Sequence, residues 1–349
     1  MNPSDDDAPL AALAWALDTG AIALPAGETA FLHARTGHGF PRPGWRCMQP
    51  LRPRFEALAA RGFDLEPERA AAGCAAAILL APRSREAARA ALAQGIDALV
   101  PGGLLVAVAG NDEGGRSLHK DLSALAGGAN SASKHRCRIA WAHKDAERID
   151  AALAGEWRAL GEVRQAACGG ISFWTRPGLF AWDRIDAASA LLAEHLPNDL
   201  SGRLADAGAG WGFLSMTLAS RCPGLAALDL FEADARALEP ARRNLEAALA
   251  GREGIDARVH WHDVTRGLPG PFDAVVMNPP FHLGRADDPA LGRAFIARAA
   301  EALAPRGALW LVANRHLPYE AELDARFSEV RRVSEREGFK VIHARSPRR

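Results

Sequence analysis

From about residue 200 onward, short apolar runs alternate with longer stretches in which Ala and Leu recur at helical spacing among Arg and Glu. The apolar runs predict strands at Arg203 to Ala207, Ala226 to Glu232, Ala257 to His262, Asp273 to Asn278 and Ala308 to Ala313. Between them, the 3.6-residue pattern predicts helices over Asp234 to Leu249 and Ala290 to Leu303, and Pro305-Arg306-Gly307 reads as a helix stop before the next strand. Strands that alternate with helices predict a parallel sheet with helices on its faces.

The first half repeats part of this plan. Ala98-Leu99-Val100-Pro101-Gly102-Gly103-Leu104-Leu105-Val106 parallels Ala302-Leu303-Ala304-Pro305-Arg306-Gly307-Ala308-Leu309-Trp310, and Ala75 to Pro82 parallels Asp273 to Pro280. The matches fall in the same order at nearly the same separation, which points to duplication of one fold. The copy differs in its chemistry: Leu80-Ala81-Pro82-Arg83 stands where the second half has Asn278-Pro279-Pro280-Phe281, with no glycine-rich turn ahead of it. The pattern therefore predicts an α/β chain of two tandem Rossmann-like domains, a degenerate one over 1–172 and a catalytic one over 173–349. The linker is expected near Trp174-Thr175-Arg176-Pro177-Gly178. A length of 349 residues suits two domains.

Composition narrows the class. With 48% hydrophobic and 24% charged residues and no apolar run of bilayer-spanning length, no membrane role is expected. The N-terminus carries Asp5, Asp6 and Asp7 where a signal peptide needs bases, so a cytoplasmic protein is expected. Cys47, Cys74, Cys137, Cys168 and Cys222 never form a C-x-x-C pair and read as buried free thiols; His260 and His262 share a strand face without a third ligand, so no metal is expected. The 42 basic and 42 acidic side chains cancel, and any polyanionic partner must be met locally. Between Glu28 and Glu56 no acid occurs, while Arg35, Arg42, Arg46, Arg52 and Arg54 alternate with Phe31, Phe40, Trp45 and Phe55. Arg42, Arg46, Arg52 and Arg54 are thus candidates to bind a nucleic acid by phosphate pairing beside base stacking; the alternative is a solvated loop whose aromatics plug a core. Lys134, His135, Arg136 and Arg138 form a second basic cluster with the same two readings.

The densest chemistry lies in the second half. Asp206-Ala207-Gly208-Ala209-Gly210-Trp211-Gly212 follows a short strand and opens a helix near Phe213. Glycines there permit positive φ and close approach of a ligand to the backbone, and the helix start offers free N–H groups. Glu232 ends a strand 26 residues after Asp206, placed to accept from ribose hydroxyls, and Asp263 follows the next strand, placed to accept from an adenine amino group. A dinucleotide site wants G-x-G-x-x-G aimed at a pyrophosphate, whereas this turn is G-x-G-x-G behind an acid. It resembles the first motif of class I methyltransferases, in which Asp206, Gly208, Gly210 and Gly212 hold the amino-acid end of S-adenosylmethionine.

Asn278-Pro279-Pro280-Phe281 is predicted at the same sheet edge. An exocyclic amine on a planar ring is a poor nucleophile because its lone pair is delocalised. Two acceptors, the Asn278 side-chain oxygen and the Pro279 carbonyl, can hold its N–H bonds and free the lone pair; Pro280 stiffens the turn and Phe281 stacks on the base. The combination resembles amino-methylating enzymes with an N/D-P-P-aromatic motif, which act on DNA adenine, protein glutamine or rRNA guanine. With His282, Val312-Ala313-Asn314-Arg315-His316-Leu317-Pro318-Tyr319 and the duplicated plan, the chain resembles the RsmC type of rRNA guanine-N2 methyltransferase. Pro177-Gly178-Leu179-Phe180 with Asp186-Ala187-Ala188-Ser189 also resembles the segment that enters that family's catalytic domain. The resemblance implies two tandem class I methyltransferase-like domains, the cofactor S-adenosylmethionine, and ribosomal RNA or a ribosomal subunit as partner, with small-subunit RNA and a monomer as the working expectation. A glutamine-amide or adenine-N6 methyltransferase and a catalytically inactive RNA-binding assembly factor are the alternatives.

Overall fold

The computed structural model describes residues 7–280 and 289–348; Phe281 and His282 lie outside the described residues. The chain divides into two compact units, Met1–Glu162 with Arg176–Gly178, and Val163–Thr175 with Leu179–Arg349. By contacts, residues 163–175 thus go with the second unit, ahead of the 172/173 boundary read from the sequence.

The first unit runs α1 (Ala8–Asp18), β1 (Thr29–Leu32), β2 (Arg46–Met48), α2 (Arg52–Ala59), β3 (Asp64–Glu66), β4 (Cys74–Leu80), α3 (Arg85–Ala98), β5 (Leu99–Gly110), α4 (Arg116–Ala126), β6 (Asn130–Lys134), β7 (Cys137–His143) and α5 (Ala151–Leu160). Its seven strands pair in the order β3-β2-β1-β4-β5-β7-β6. All pairings are parallel except those of β7.

The second unit begins with the hairpin β8 (Arg164–Cys168) and β9 (Ile171–Thr175). It continues through α6 (Ala187–His195), β10 (Gly202–Ala207), α7 (Phe213–Arg221), β11 (Leu225–Glu232), α8 (Ala235–Ala248), β12 (Asp256–Trp261), β13 (Phe272–Met277), α9 (Pro289–Ala302), β14 (Leu303–Asn314), α10 (Glu320–Arg326), β15 (Phe327–Arg336) and β16 (Phe339–Pro347). Its main sheet has the order β12-β11-β10-β13-β14-β16-β15, the same permutation as the first unit, and again only the pairings of the penultimate strand are antiparallel. Successive residues of β13 feed opposite layers: Val275 and Met277 pack in one core, Ala274 and Val276 in the other. That alternation is what a strand covered on both faces by helices requires.

The two halves share a fine irregularity. Register slips between Cys74 and Ala76 against Leu99 and Leu104, and between Phe272 and Ala274 against Leu303 and Leu309's neighbour Ala308. Pro305-Arg306-Gly307 therefore does not precede a strand, as the helix-stop reading has it; it is a bulge inside β14, and Pro101-Gly102-Gly103 is its counterpart inside β5. At Gly103 and Gly307 a Cβ would lie 3.0 Å from carbonyl oxygens of the adjoining strand, Ala75 and Phe272 respectively, so the bulge needs glycine in both copies.

The copies diverge between their first two strands. Residues 33–45 of the first unit contain no helix, whereas the second has a glycine turn and α7 there. Phe40 stacks on Trp45 with centroids 5.6 Å apart, Phe31 meets Trp45 edge-on at 5.6 Å, and all three rings are buried. Three of the four aromatics of the arginine-rich stretch are thus core, and Phe55 is half-buried. Cys47, Cys74, Cys137 and Cys222 are buried, Cys168 half-buried, and all five are free. No helix among the described residues is long and apolar enough to cross a membrane, and no metal-binding cluster occurs among them.

Candidate active site

Parallel strands that all end at one edge bring their following loops together, and there the predicted residues meet. Asp206 pairs in register with Leu230 on one side and Val276 on the other. Gly208 and Asn278, each two residues further along its own strand, therefore leave the sheet level with each other. A Cβ on Gly208 would sit 3.4 Å from Phe295 and 3.9 Å from Pro280, which measures how closely the two loops approach.

The turn after β10 takes φ of +82° at Gly208, +55° at Gly210 and +94° at Gly212, a succession that only glycine adopts without strain. Its first amides, Gly208 N and Ala209 N, donate to the Phe231 carbonyl at 2.8 and 3.1 Å. Glu232, at the end of β11, accepts from Gly210 N through Oε2 at 2.7 Å and from Asp234 N through Oε1 at 2.8 Å. Burial holds its carboxyl above the usual range. Asp206 is buried at 1% exposure; its Oδ2 accepts from Ser215 Oγ at 2.7 Å, while its Oδ1 is buried without a hydrogen bond. Burial pushes its pKa up to about 7, with hydrogen bonds from Ser215 opposing the rise and the charge of Glu232 adding to it. A buried carboxyl oxygen with no donor is costly and calls for one from a ligand. Asp263, just beyond β12, caps a short turn through Oδ1, which accepts from Thr265 N at 2.9 Å and Thr265 Oγ1 at 2.7 Å; its Oδ2 has no hydrogen bond among the described residues.

The glycine turn is braced from behind by residues that periodicity did not single out. The Trp211 ring stacks on Phe173 of β9 at 4.1 Å, and its Nε1 donates to the Ala181 carbonyl at 3.2 Å. Buried Asn244 on α8 donates through Nδ2 to the carbonyls of Trp211 and Trp174, both at 2.8 Å, and accepts from Trp174 N at 2.6 Å. A lone Asn in an amphipathic helix carries no sequence signal for this; only the fold brings its three partners to it.

Asn278 is half-buried, Pro279 buried and Pro280 exposed. Asn278 Nδ2 donates to Asp186 Oδ2 at 3.0 Å and to Ser189 Oγ at 2.9 Å, and its Oδ1 accepts nothing among the described residues. One cleft is lined by Asn278, Asp186 and Ser189 together with Gly208 to Trp211 and Phe180, an aromatic ring 63% exposed at its rim. Asp186 and Ser189 stood out in the sequence only by family likeness; a signal was available in the Asp-x-x-Ser start of α6.

Of the arginine candidates in the first unit, Arg46 pairs with Asp64 at 3.1 Å and Glu28 at 3.4 Å, and Arg52 with Glu56 at 2.8 Å. Arg42 lies over the Phe40 ring at 5.7 Å, and Arg54 is exposed.

Comparison with known proteins agrees with this geometry. Residues 170–343 match the model of the methyltransferase small domain. A ribosomal RNA small subunit methyltransferase C of Stutzerimonas stutzeri is 34% identical over 77% of this chain and 78% of that protein. Its counterpart from Pseudomonas paraeruginosa is 32% identical over 92% and 91%. The solved 16S rRNA N2 G1207 methyltransferase (RsmC) of T. thermophilus, in complex with AdoMet and guanosine, superposes over 99% of this chain and 93% of its own with a TM-score of 0.80 at 26% identity.

Proposed function

Because this chain belongs to the small-subunit ribosomal RNA methyltransferase C family, we infer that it transfers a methyl group from S-adenosylmethionine to the exocyclic N2 amine of a guanine in small-subunit ribosomal RNA. The observation that carries this reading is the shared cleft: the glycine turn that suits the cofactor and Asn278, the first residue of the Asn-Pro-Pro turn that suits an amine, line the same space.

S-adenosylmethionine, when bound, supplies a methyl group on a sulfonium and so carries the hard chemistry. The residues present fit it. Asp206 Oδ1 is a buried acceptor lacking a donor, suited to the cationic amine of the amino-acid end beside Gly208, Gly210 and Gly212. Glu232 has acceptor capacity left for ribose hydroxyls, and Asp263 Oδ2 for an adenine amino group. Asn278 Oδ1 and the Pro279 carbonyl accept the two N–H bonds of the guanine amine, turning its lone pair out of conjugation. As the nitrogen becomes cationic during transfer, both oxygens stabilise the developing charge, and water then takes the surplus proton. Pro280 stiffens this turn, and Phe281 is assigned the stacking role on the base. Residues 173–349 are the catalytic domain in this reading; residues 1–172 form a degenerate domain that holds RNA, with Arg42, Arg46, Arg52 and Arg54 as its candidate contacts.

The test is transfer of labelled methyl from S-adenosylmethionine to unmodified small-subunit RNA, large-subunit RNA and intact subunits, followed by nucleoside mass spectrometry. N2-methylguanosine in the small-subunit product is expected. Cofactor binding without labelling of any RNA would move the reading to a protein amide.

A further inference from the structure

We propose that Asp186 and Ser189 set the polarity of the methyl-transfer site by fixing which end of the Asn278 amide faces the cleft. This positioning role rests on the guanine-N2 reading above.

A primary amide has one end that only donates and one that only accepts, and the two ends are nearly the same shape, so sterics alone do not choose between them. Here the surroundings choose. Asn278 Nδ2 carries two hydrogens and finds two acceptors, Asp186 Oδ2 at 3.0 Å and Ser189 Oγ at 2.9 Å. Turned the other way, the amide oxygen would lie about where Nδ2 does, facing a carboxylate oxygen with no proton between them. The Ser189 hydroxyl tolerates either orientation, because it donates as well as accepts; Asp186 tolerates only one. Asp186 is therefore the discriminating residue and Ser189 the second support.

Both partners are themselves held. Asp186 is the N-cap of α6, and the same Oδ2 accepts from Ser189 N at 2.9 Å. Ser189 is buried at 9% exposure. The first turn of α6 thus presents two fixed acceptors to the end of β13, and the amide nitrogen is consumed by them. What remains for the cleft is Oδ1, which has no hydrogen bond among the described residues.

The consequence is specificity for a donor. A guanine edge carries an amine at N2 and a carbonyl at O6. An acceptor in the cleft receives the amine and repels the carbonyl, whereas a reversed amide would offer N–H groups and draw a carbonyl to the place where the nucleophile belongs.

Asp186→Asn keeps the cap, since Asn caps helices as well as Asp does, yet it can present either a donor or an acceptor to Asn278. Ser189→Ala leaves the cap untouched. For Asp186→Asn/Ser189→Ala, kcat on small-subunit RNA is expected to fall about tenfold or more, the scale of one oriented hydrogen bond. The dissociation constant for S-adenosylmethionine and the melting temperature should stay at wild-type values. In an Asn278→Ala background the same two substitutions should cost nothing further, because no amide remains to be oriented. An undiminished kcat in the double variant, or an equal loss in the Asn278→Ala background, would overturn the proposal while wild-type formation of N2-methylguanosine left the underlying reading intact. Absence of that product from the wild-type enzyme would bring down both.

Discussion

Asp206 shows how far one buried atom constrains the site. Its carboxyl is pushed up to about 7 by burial, well above the value near 4 of an unfolded chain. The folded protein therefore holds the proton more tightly than the unfolded one, and between about pH 4 and 7 this group makes the free protein less stable as pH rises, by at most about 1.4 kcal/mol per unit, with no further change above about 7. Binding a cationic amine against Asp206 requires the proton to leave. Cofactor affinity is thus expected to weaken as pH falls below about 7, by up to about tenfold per unit, and titration calorimetry across pH 5.5 to 8 should show proton release. Asp206→Asn should flatten both profiles; a wild-type affinity that stays constant over that range would remove Asp206 from the cofactor's amine. Asn278 is proposed to serve the other half of the chemistry. Asn278→Ala should leave cofactor binding within about twofold while kcat falls by roughly two orders of magnitude, as expected for loss of one oriented group at a developing charge. Near-wild-type turnover would show that Pro279 alone suffices.

The two units also offer an internal control at the level of single elements. Each ends its sheet with a two-residue hairpin. In the second unit the turn is Glu337-Gly338, with φ of +54° and +84°; in the first it is His135-Arg136, with φ of +49° and +57°. Side chains other than glycine resist that region, and Asn-Gly is the sequence such a turn prefers. His135→Asn/Arg136→Gly is therefore expected to stabilise the protein by about 1 kcal/mol, read as a raised midpoint in urea unfolding; a lowered midpoint would mean that the two side chains hold the hairpin by contacts that outweigh the backbone cost. Elements such as β10, β11 and β13 were legible in the sequence because a strand buried on both faces is written as a mostly apolar run, here broken only by single charges such as Arg203, Asp206, Asp229 and Asp273, and the glycine turn because positive φ leaves few other choices. Pro305-Arg306-Gly307, a bulge inside β14, was misread as a helix stop because punctuation looks alike whether it ends a helix or kinks a strand. The brace through Asn244 and the orientation of Asn278 were not legible, since they depend on partners 33 to 92 residues away.

For the whole molecule, balanced charge means that an RNA polyanion is met only by local surfaces, and the structure separates the arginines that have spare charge from those that do not. Arg46 and Arg52 are hydrogen-bonded to carboxylates, so their field at a phosphate is partly cancelled, whereas Arg42 has an aromatic ring for a neighbour and the exposed Arg54 makes no ion pair among the described residues, feeling the charge of Arg35 ahead of those of Asp7 and Glu113. Each cation that neutralises a phosphate releases counterions and steepens the salt dependence of binding by roughly 0.7 to 0.9 in log–log slope. Loss of Arg42 and Arg54 together should thus reduce that slope by about 1.5, while loss of Arg46 and Arg52 should reduce it less, because their carboxylate partners already neutralise part of the charge they could offer a phosphate. Filter binding of small-subunit RNA across a salt series, with Asn278→Ala as a variant altered only at the acceptor proposed to face the reacting amine, reads both effects apart from turnover. If all four arginines can be replaced without changing the slope, the acid-free stretch serves the core through Phe31, Phe40 and Trp45 alone, and the surface that holds RNA lies elsewhere on the chain.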